Sequence, residues 1–208
     1  MRSLPPEGAL SGFGRPGATD MSTLPKNAVI GVIGAGGMGG GIAQVAAGAG
    51  HTVLLFDALP EAVARARAAI DKDLQAGVAR GKMAAEDAQA TLARILPAAE
   101  LGELSRCALV IEAIAEDFEA KRALLAKLQQ SVAADCIIAT NTSSLSITAL
   151  AAGGAHPERV VGMHFFNPPT RMKLVEVVSG VDTAAEVART VFATAEAWGK
   201  KAATAKCT

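Results

Sequence analysis

Short apolar runs alternate along the chain with longer segments of helical composition. The runs are Ala28 to Ile33, Thr52 to Phe56, Ala108 to Ile114, Cys136 to Ala139, Arg159 to Phe166 and Lys173 to Val178, with a last short strand expected over Lys200 to Cys207. Each of the first six is short and continuous rather than alternating, which suits strands buried on both faces. Between them, Gly40 to Ala49, Phe118 to Ala133 and Thr183 to Trp198 have helical length and composition. Pro60 suits a helix N1 position ahead of a helix over Glu61 to Arg80. A break at Gly81 then leads to a second helix around Ala84 to Ile95, so that a helical hairpin is predicted. Strands that alternate with helices predict an α/β fold with a mostly parallel sheet.

The stretch Ala28 to Asp57, AVIGVIGAGGMGGGIAQVAAGAGHTVLLFD, carries the sharpest signal. Strand, glycine turn, helix, strand and acid follow one another in the order that a dinucleotide-binding βαβ unit requires. Gly34 permits the tight turn out of the strand, Gly36 lets a pyrophosphate approach the backbone, and Gly39 lets the helix pack against the strand. Gly37 and Met38 lie in the same turn, where the helix N-terminus offers free N–H groups and its positive dipole end. Asp57 can accept hydrogen bonds from the adenine ribose and would repel a 2′-phosphate, which favours NAD over NADP. A glycine loop that merely turns the chain leaves Asp57 without a purpose.

Composition adds bounds. The chain has 208 residues, enough for one sizeable domain with a tail, and half of them are apolar. The formal net charge is +0 and charged residues make up 19%. That balance offers nothing to a nucleic-acid or anionic-membrane partner. Aromatic residues are only 3%, so close backbone packing outweighs ring stacking. Cys107, Cys136 and Cys207 are scattered without ligand spacing, which predicts a reducing, cytoplasmic setting and no metal site. Residues 1–24 are rich in Pro, Gly and Ser without periodicity and read as a disordered leader, with Met21 as an alternative start. The remainder, 25–208, reads as a single domain.

Further candidate chemistry sits at the ends of the later strands. Glu116 and Asp117 follow the third main run, where acids complement a helix N-terminus. Thr140-Asn141-Thr142-Ser143-Ser144 follows the next, at the edge where open α/β sheets bind ligands. The same hydroxyls suit a helix cap, and both roles are compatible. His164 ends the following strand, and Glu176 lies inside the apolar run after it. A carboxylate in such a run needs a partner, and an imidazole on a neighbouring strand would supply one. The pair would fix the tautomer of a general base. A structural histidine and a surface glutamate on an edge strand fit the same spacing. On the hairpin, Arg80 and Lys82 read as a solvated face or as cations for a substrate's phosphates.

Taken in order, GVIGAGGMG, VIEAIAED, ATNTSSL, GMHFFNPP and MKLVEVV resemble the NAD-binding domain of the L-3-hydroxyacyl-CoA dehydrogenases, from about residue 27 onward. The bacterial enzymes acting on 3-hydroxybutyryl-CoA or 3-hydroxyadipyl-CoA are the nearest in pattern. The resemblance implies a Rossmann-type α/β fold: a mostly parallel sheet with helices on both faces and a protruding hairpin. It implies NAD as cofactor, an acyl-CoA as substrate, and hydride transfer that interconverts a 3-hydroxyacyl- and a 3-oxoacyl-CoA. His164 matches the family's base, Glu176 its orienting carboxylate, and Ser143 the serine that contacts the substrate's 3-oxygen beside the nicotinamide. Glu116, Lys121 and Asn167 match positions lining the NAD site. On the hairpin the family places polar or basic residues near the CoA phosphates, a role open to Arg80, whereas Asp73 stands where a small polar residue is usual.

The family continues with a Pro-Gly-Phe segment bearing an Asn that completes the site, then with a helical domain for dimerisation and acyl binding. The expectation is therefore a cofactor-binding part of a homodimeric protein, one that binds NAD but turns over acyl-CoA poorly by itself. Two other readings are a non-catalytic NAD-binding fragment and a 6-phosphogluconate-type β-hydroxyacid dehydrogenase. Asp57 and the TNTSS and HFFNP segments count against the latter.

Overall fold

The computed structural model describes residues 23–206. Nearly all of the expected leader, Met21 included, lies outside the described residues, as does Cys207. Leu24 does not belong with that leader. Its N–H donates to Thr194 Oγ1 at 3.2 Å, and its side chain packs against the core.

Eight strands form one sheet. They are β1 (Val29–Ile33), β2 (Thr52–Phe56), β3 (Ile95–Pro97), β4 (Leu109–Glu112), β5 (Ile137–Thr140), β6 (Val160–Phe165), β7 (Leu174–Ser179) and β8 (Lys201–Lys206). Their spatial order is β3-β2-β1-β4-β5-β6-β7-β8. From β3 to β6 every pairing is parallel, β7 runs antiparallel to β6, and β8 is parallel to β7. The helices are α1 (Gly37–Gly48), α2 (Pro60–Ala79), α3 (Ala85–Ala93), α4 (Phe118–Ser131), α5 (Ile147–Ala151) and α6 (Ala185–Ala197). The mostly parallel α/β sheet with a helical hairpin, α2–α3, is thus as the sequence pattern predicts.

Burial on both faces explains the continuous apolar runs. Ile30 and Val32 of β1, Val53 and Leu55 of β2, and Leu109 and Ile111 of β4 face one core, shared with α1, α2 and α6. Ile33, Leu54 and Val110 face the other, shared with Leu125 and Leu128 of α4 and Leu150 of α5. Every position of such a strand is interior, so no polar alternation survives.

The second arm of the hairpin is shorter than its composition predicts. The helix expected over Ala84 to Ile95 ends at Ala93, and Ile95–Pro97 form the edge strand β3 beside β2. Val53 N–H donates to the Arg94 carbonyl at 2.9 Å, so pairing with β2 overrides local helical composition there.

Strand order reverses between β1 and β4. Crevices at such a switch point, beyond the carboxyl ends of the strands, are where open α/β sheets bind ligands. Ile33 of β1 pairs with Glu112 of β4 at that point. The loops that follow them, beginning at Gly34 and Ala113, form the floor of the site.

Candidate functional site

The glycine turn does what its sequence requires. Gly34 has φ +97°, and a Cβ there would meet the Ala113 carbonyl at 2.6 Å. A Cβ on Gly39 would overlap the Gly34 carbonyl oxygen, so α1 can cross β1 this closely only without one. Around Gly36 and Gly37 an added Cβ meets nothing within 4 Å. The start of α1 has no side-chain cap and no acid in its first turn. Open space above uncapped N–H groups at a helix N-terminus is a seat for an anion.

Asp57 is held from two sides. Its Oδ2 accepts from Ala35 N–H at 2.7 Å and its Oδ1 from Leu59 N–H at 2.9 Å. The carboxylate therefore ties the end of β2 to the glycine turn. It borders a cleft of about 600 Å³ lined by Gly34, Gly36, Phe56, Leu59 and Ile114, a size and apolarity suited to an adenosine.

On the other side of the turn lies a second cleft of about 300 Å³, which brings Met38, Glu116, Asn141, Ser143, His164 and Asn167 together. His164 and Glu176 are direct partners across β6 and β7, with Nδ1 to Oε2 at 2.9 Å. Nε2 is left as the other ring nitrogen of a residue that lines the cleft. Phe166 packs against the imidazole with ring centroids 4.4 Å apart.

Glu116 organises the Ser143 loop. Its Oε1 accepts from Thr142 Oγ1 at 2.6 Å, from Ser143 N–H at 2.8 Å and from Ser143 Oγ at 3.2 Å. Burial pushes the Glu116 carboxyl up, but the bonds from Thr142 and Ser143 and the Lys121 charge outweigh burial and hold it below the usual carboxylate value. The Thr142 hydroxyl also accepts from Leu145 N–H, and the Ser146 side chain accepts from Ala149 N–H at the start of α5. The hydroxyl run thus serves both the site and the helix start.

Lys121 sits elsewhere than the cleft wall. Its side chain is 1% exposed, with Nζ 2.6 Å from Glu112 Oε1 and 3.3 Å from Glu116 Oε2. Glu112 is fully buried and also accepts from Ile114 N–H at 2.7 Å and Thr140 Oγ1 at 2.6 Å. Lys121 therefore lies beneath the cleft, paired with both carboxylates. Asn141, which the sequence pattern places in the polar run at the ligand edge without a role of its own, accepts from Phe165 N–H through Oδ1 at 2.8 Å and so fixes the strand end that carries His164. Its place in the polar run after β5 was the available signal.

Arg80 and Lys82 are exposed at the hairpin turn and are not among the residues lining these clefts. Asp73 borders a groove of about 340 Å³ between α1, α2 and Pro168–Thr170, where Gln44 Nε2 donates to its Oδ2 at 2.9 Å. Among the described residues no group of three or more His, Cys, Asp or Glu could hold a metal ion, and no helix is long and apolar enough to cross a membrane.

The sequence pattern of the 3-hydroxyacyl-CoA dehydrogenase NAD binding domain matches residues 29–208. The chain belongs to this family. As its NAD-binding domain it is 49% identical over 172 residues to the 3-hydroxyadipyl-CoA dehydrogenase of Escherichia coli strain K12, covering 83% of this chain and 36% of that protein. A probable 3-hydroxybutyryl-CoA dehydrogenase of Deinococcus radiodurans is 45% identical over 170 residues, covering 82% of this chain and 61% of that one. The crystal structure of a 3-hydroxybutyryl-CoA dehydrogenase from Escherichia coli K12 superposes with a TM-score of 0.86 at 47% identity, over 88% of this chain and 39% of that chain. The NAD-binding domain accordingly spans between about a third and three-fifths of these relatives.

Residues present in the domain fit the cofactor: an open anion seat at Gly36 and Gly37 lies between an apolar cleft bordered by the Asp57 carboxylate and a polar cleft with an imidazole.

Proposed function

We propose that this domain binds NAD across the glycine turn and takes part in the oxidation of a 3-hydroxyacyl-CoA to the 3-oxoacyl-CoA. The observation that carries this reading is the cleft in which His164, Ser143 and Asn167 meet, with His164 backed by Glu176 at 2.9 Å. The cleft at Asp57 would hold the adenosine, and the N–H groups at the start of α1 would hold the diphosphate. Met38, Glu116 and Asn167 border the place left for the nicotinamide.

Bound NAD supplies the hydride acceptor. His164 Nε2 takes the proton of the 3-hydroxyl, while Glu176 holds the ring by Nδ1–H and stabilises the imidazolium. Ser143 Oγ donates to Glu116 at 3.2 Å and turns that one proton to the 3-oxygen when charge develops there. Glu116 fixes the serine's backbone and hydroxyl, and Lys121 fixes Glu116 from beneath. The acyl thioester approaches along the groove of Gln44, Asp73 and Pro169, and Arg80 and Lys82 at the hairpin turn meet the CoA phosphates. Asp73 keeps one carboxylate in that groove, so phosphates are better placed nearer the turn. A cytoplasmic setting belongs to the same reading, in keeping with the free buried thiols of Cys107 and Cys136. Assembly as a homodimer belongs to it through the family resemblance.

A second reading has an observation in its favour, since the chain covers only 36% of the Escherichia coli relative. In that reading the domain binds NAD, and chemistry needs residues outside it. Titration with NADH and NADPH, followed by addition of acetoacetyl-CoA, tests both. NADH binding in preference to NADPH, with NADH consumed on addition of the thioester, supports the catalytic reading. Binding without turnover selects the second. Failure to bind NADH overturns both.

A further inference from the structure

Two carboxylates share one ammonium beneath the His164 cleft. Lys121 Nζ is closer to Glu112, at 2.6 Å, than to Glu116, at 3.3 Å. Glu112 is fully buried, so its charge must be compensated on the spot, and Lys121 with two neutral donors does so. The Glu116 side chain is 39% exposed and borders the cleft. The cluster carries one negative charge in excess, and that charge is on the side of the ligand. Among the residues lining this cleft only Glu116 and His164 are ionisable, and none is a lysine or arginine. Three hydrogen bonds onto Glu116 Oε1 hold the carboxylate in place, so its field is fixed rather than averaged over rotamers.

At a nicotinamide the two redox states differ by a unit charge, the oxidised ring being cationic and the reduced ring neutral. A fixed anion near the ring attracts the first and is indifferent to the second. Resting on the cofactor placement proposed above, we infer that Glu116 sets the redox preference of the bound cofactor, tightening NAD⁺ relative to NADH and so lowering the potential of the bound couple. The hydroxyl-holding and charge-supplying roles of this residue separate under substitution. Glu116→Gln keeps an acceptor oxygen for Thr142 and Ser143 and loses the charge. Glu116→Asp keeps the charge and shortens the reach.

The test is the ratio of the dissociation constants for NAD⁺ and NADH, measured by calorimetric titration on the 208-residue chain without substrate. Glu116→Gln raises that ratio about fivefold or more, NAD⁺ weakening while NADH holds or tightens. Glu116→Asp keeps the ratio within about twofold. Asp57→Asn, at the adenosine end, weakens both forms alike and leaves the ratio in place. Glu116→Ala removes the charge independently and moves the ratio in the same direction, covering the case of a poorly folded Gln variant. Two bound forms whose ratio ignores Glu116→Gln and Glu116→Ala overturn the inference and leave the cofactor reading standing. A wild-type chain that binds neither form overturns the cofactor reading, and this inference with it.

Discussion

His164 and Glu176 face each other as register partners of the antiparallel β6–β7 pairing, and their side chains meet at 2.9 Å. Direct cross-strand partners project from the same face of a sheet, so the pair is built by register rather than by loop geometry. A histidine held this way has Nδ1 committed to the carboxylate, with Nε2 left for chemistry. His164→Ala is expected to lower the rate of acetoacetyl-CoA reduction by NADH about 10²-fold, the loss typical of a general base. Glu176→Gln leaves an acceptor for Nδ1–H but removes the charge, and a loss of about tenfold or more follows. Nitrogen NMR gives a readout free of turnover: the wild-type ring should show the Nδ1-protonated tautomer, and an Nδ1-unprotonated ring would remove Glu176 as its anchor.

The two informative glycines of the turn should fail in different ways. A methyl group on Gly39 would overlap the Gly34 carbonyl, so Gly39→Ala must push α1 away from β1. Overpacking of this sort costs about 1–3 kcal/mol, to be read as a lower urea midpoint. Gly36→Ala meets open space at φ −73°, so its midpoint should stay near wild type. Its methyl group instead occupies room reserved for the diphosphate, and NADH affinity should fall about tenfold, or about 1.4 kcal/mol. A Gly36→Ala protein that binds NADH normally would move the phosphate seat elsewhere.

Glu112 and Lys121 form a buried ion pair, and breaking one side is worse than removing both. Lys121→Met leaves the Glu112 carboxylate unpaired in the core and should cost about 3–5 kcal/mol of stability. Glu112→Gln with Lys121→Met removes both charges and should regain most of that loss. A double-mutant cycle on urea midpoints checks it, and additive effects would show that the two charges do not depend on each other.

Much of this arrangement is legible in the sequence because parallel strands buried on both faces write themselves as unbroken apolar runs. The glycine turn is legible for a second reason: Gly34 turns the chain at φ +97° and Gly39 lies against the Gly34 carbonyl, local backbone demands that disfavour any side chain. What stays hidden depends on distant partners. Ile95 joins a sheet rather than a helix because β2 offers it hydrogen-bonding neighbours, and nothing local says so. Lys121 is read from the resemblance as lining the NAD site, yet Glu112 draws it beneath the cleft to 1% exposure. Glu112 itself looks like an interruption of a strand until Lys121, Thr140 and the Ile114 amide are seen around it. Leu24 looks like part of a structureless leader until Thr194 and the core receive it.

His51 makes stability depend on pH away from the site. It is 3% exposed, its Nδ1 donates to the Ala28 carbonyl at 3.1 Å, and its ring meets Trp198 edge-on with centroids 5.6 Å apart. Burial lowers its pKa below 6.5, and the bond to Ala28 offsets this only in part. The unfolded chain therefore takes up a proton near pH 6.5, whereas the folded chain does so only at lower pH. Below 6.5 the unfolded state binds more protons, so stability falls as pH drops from there towards the folded value. Above that window the group contributes no slope. Urea midpoints at about pH 7.5 and about pH 5.5 should therefore diverge in the wild type more than in His51→Gln, which keeps a donor for Ala28 but does not titrate. Equal divergence in the two proteins would place the acid sensitivity on other groups.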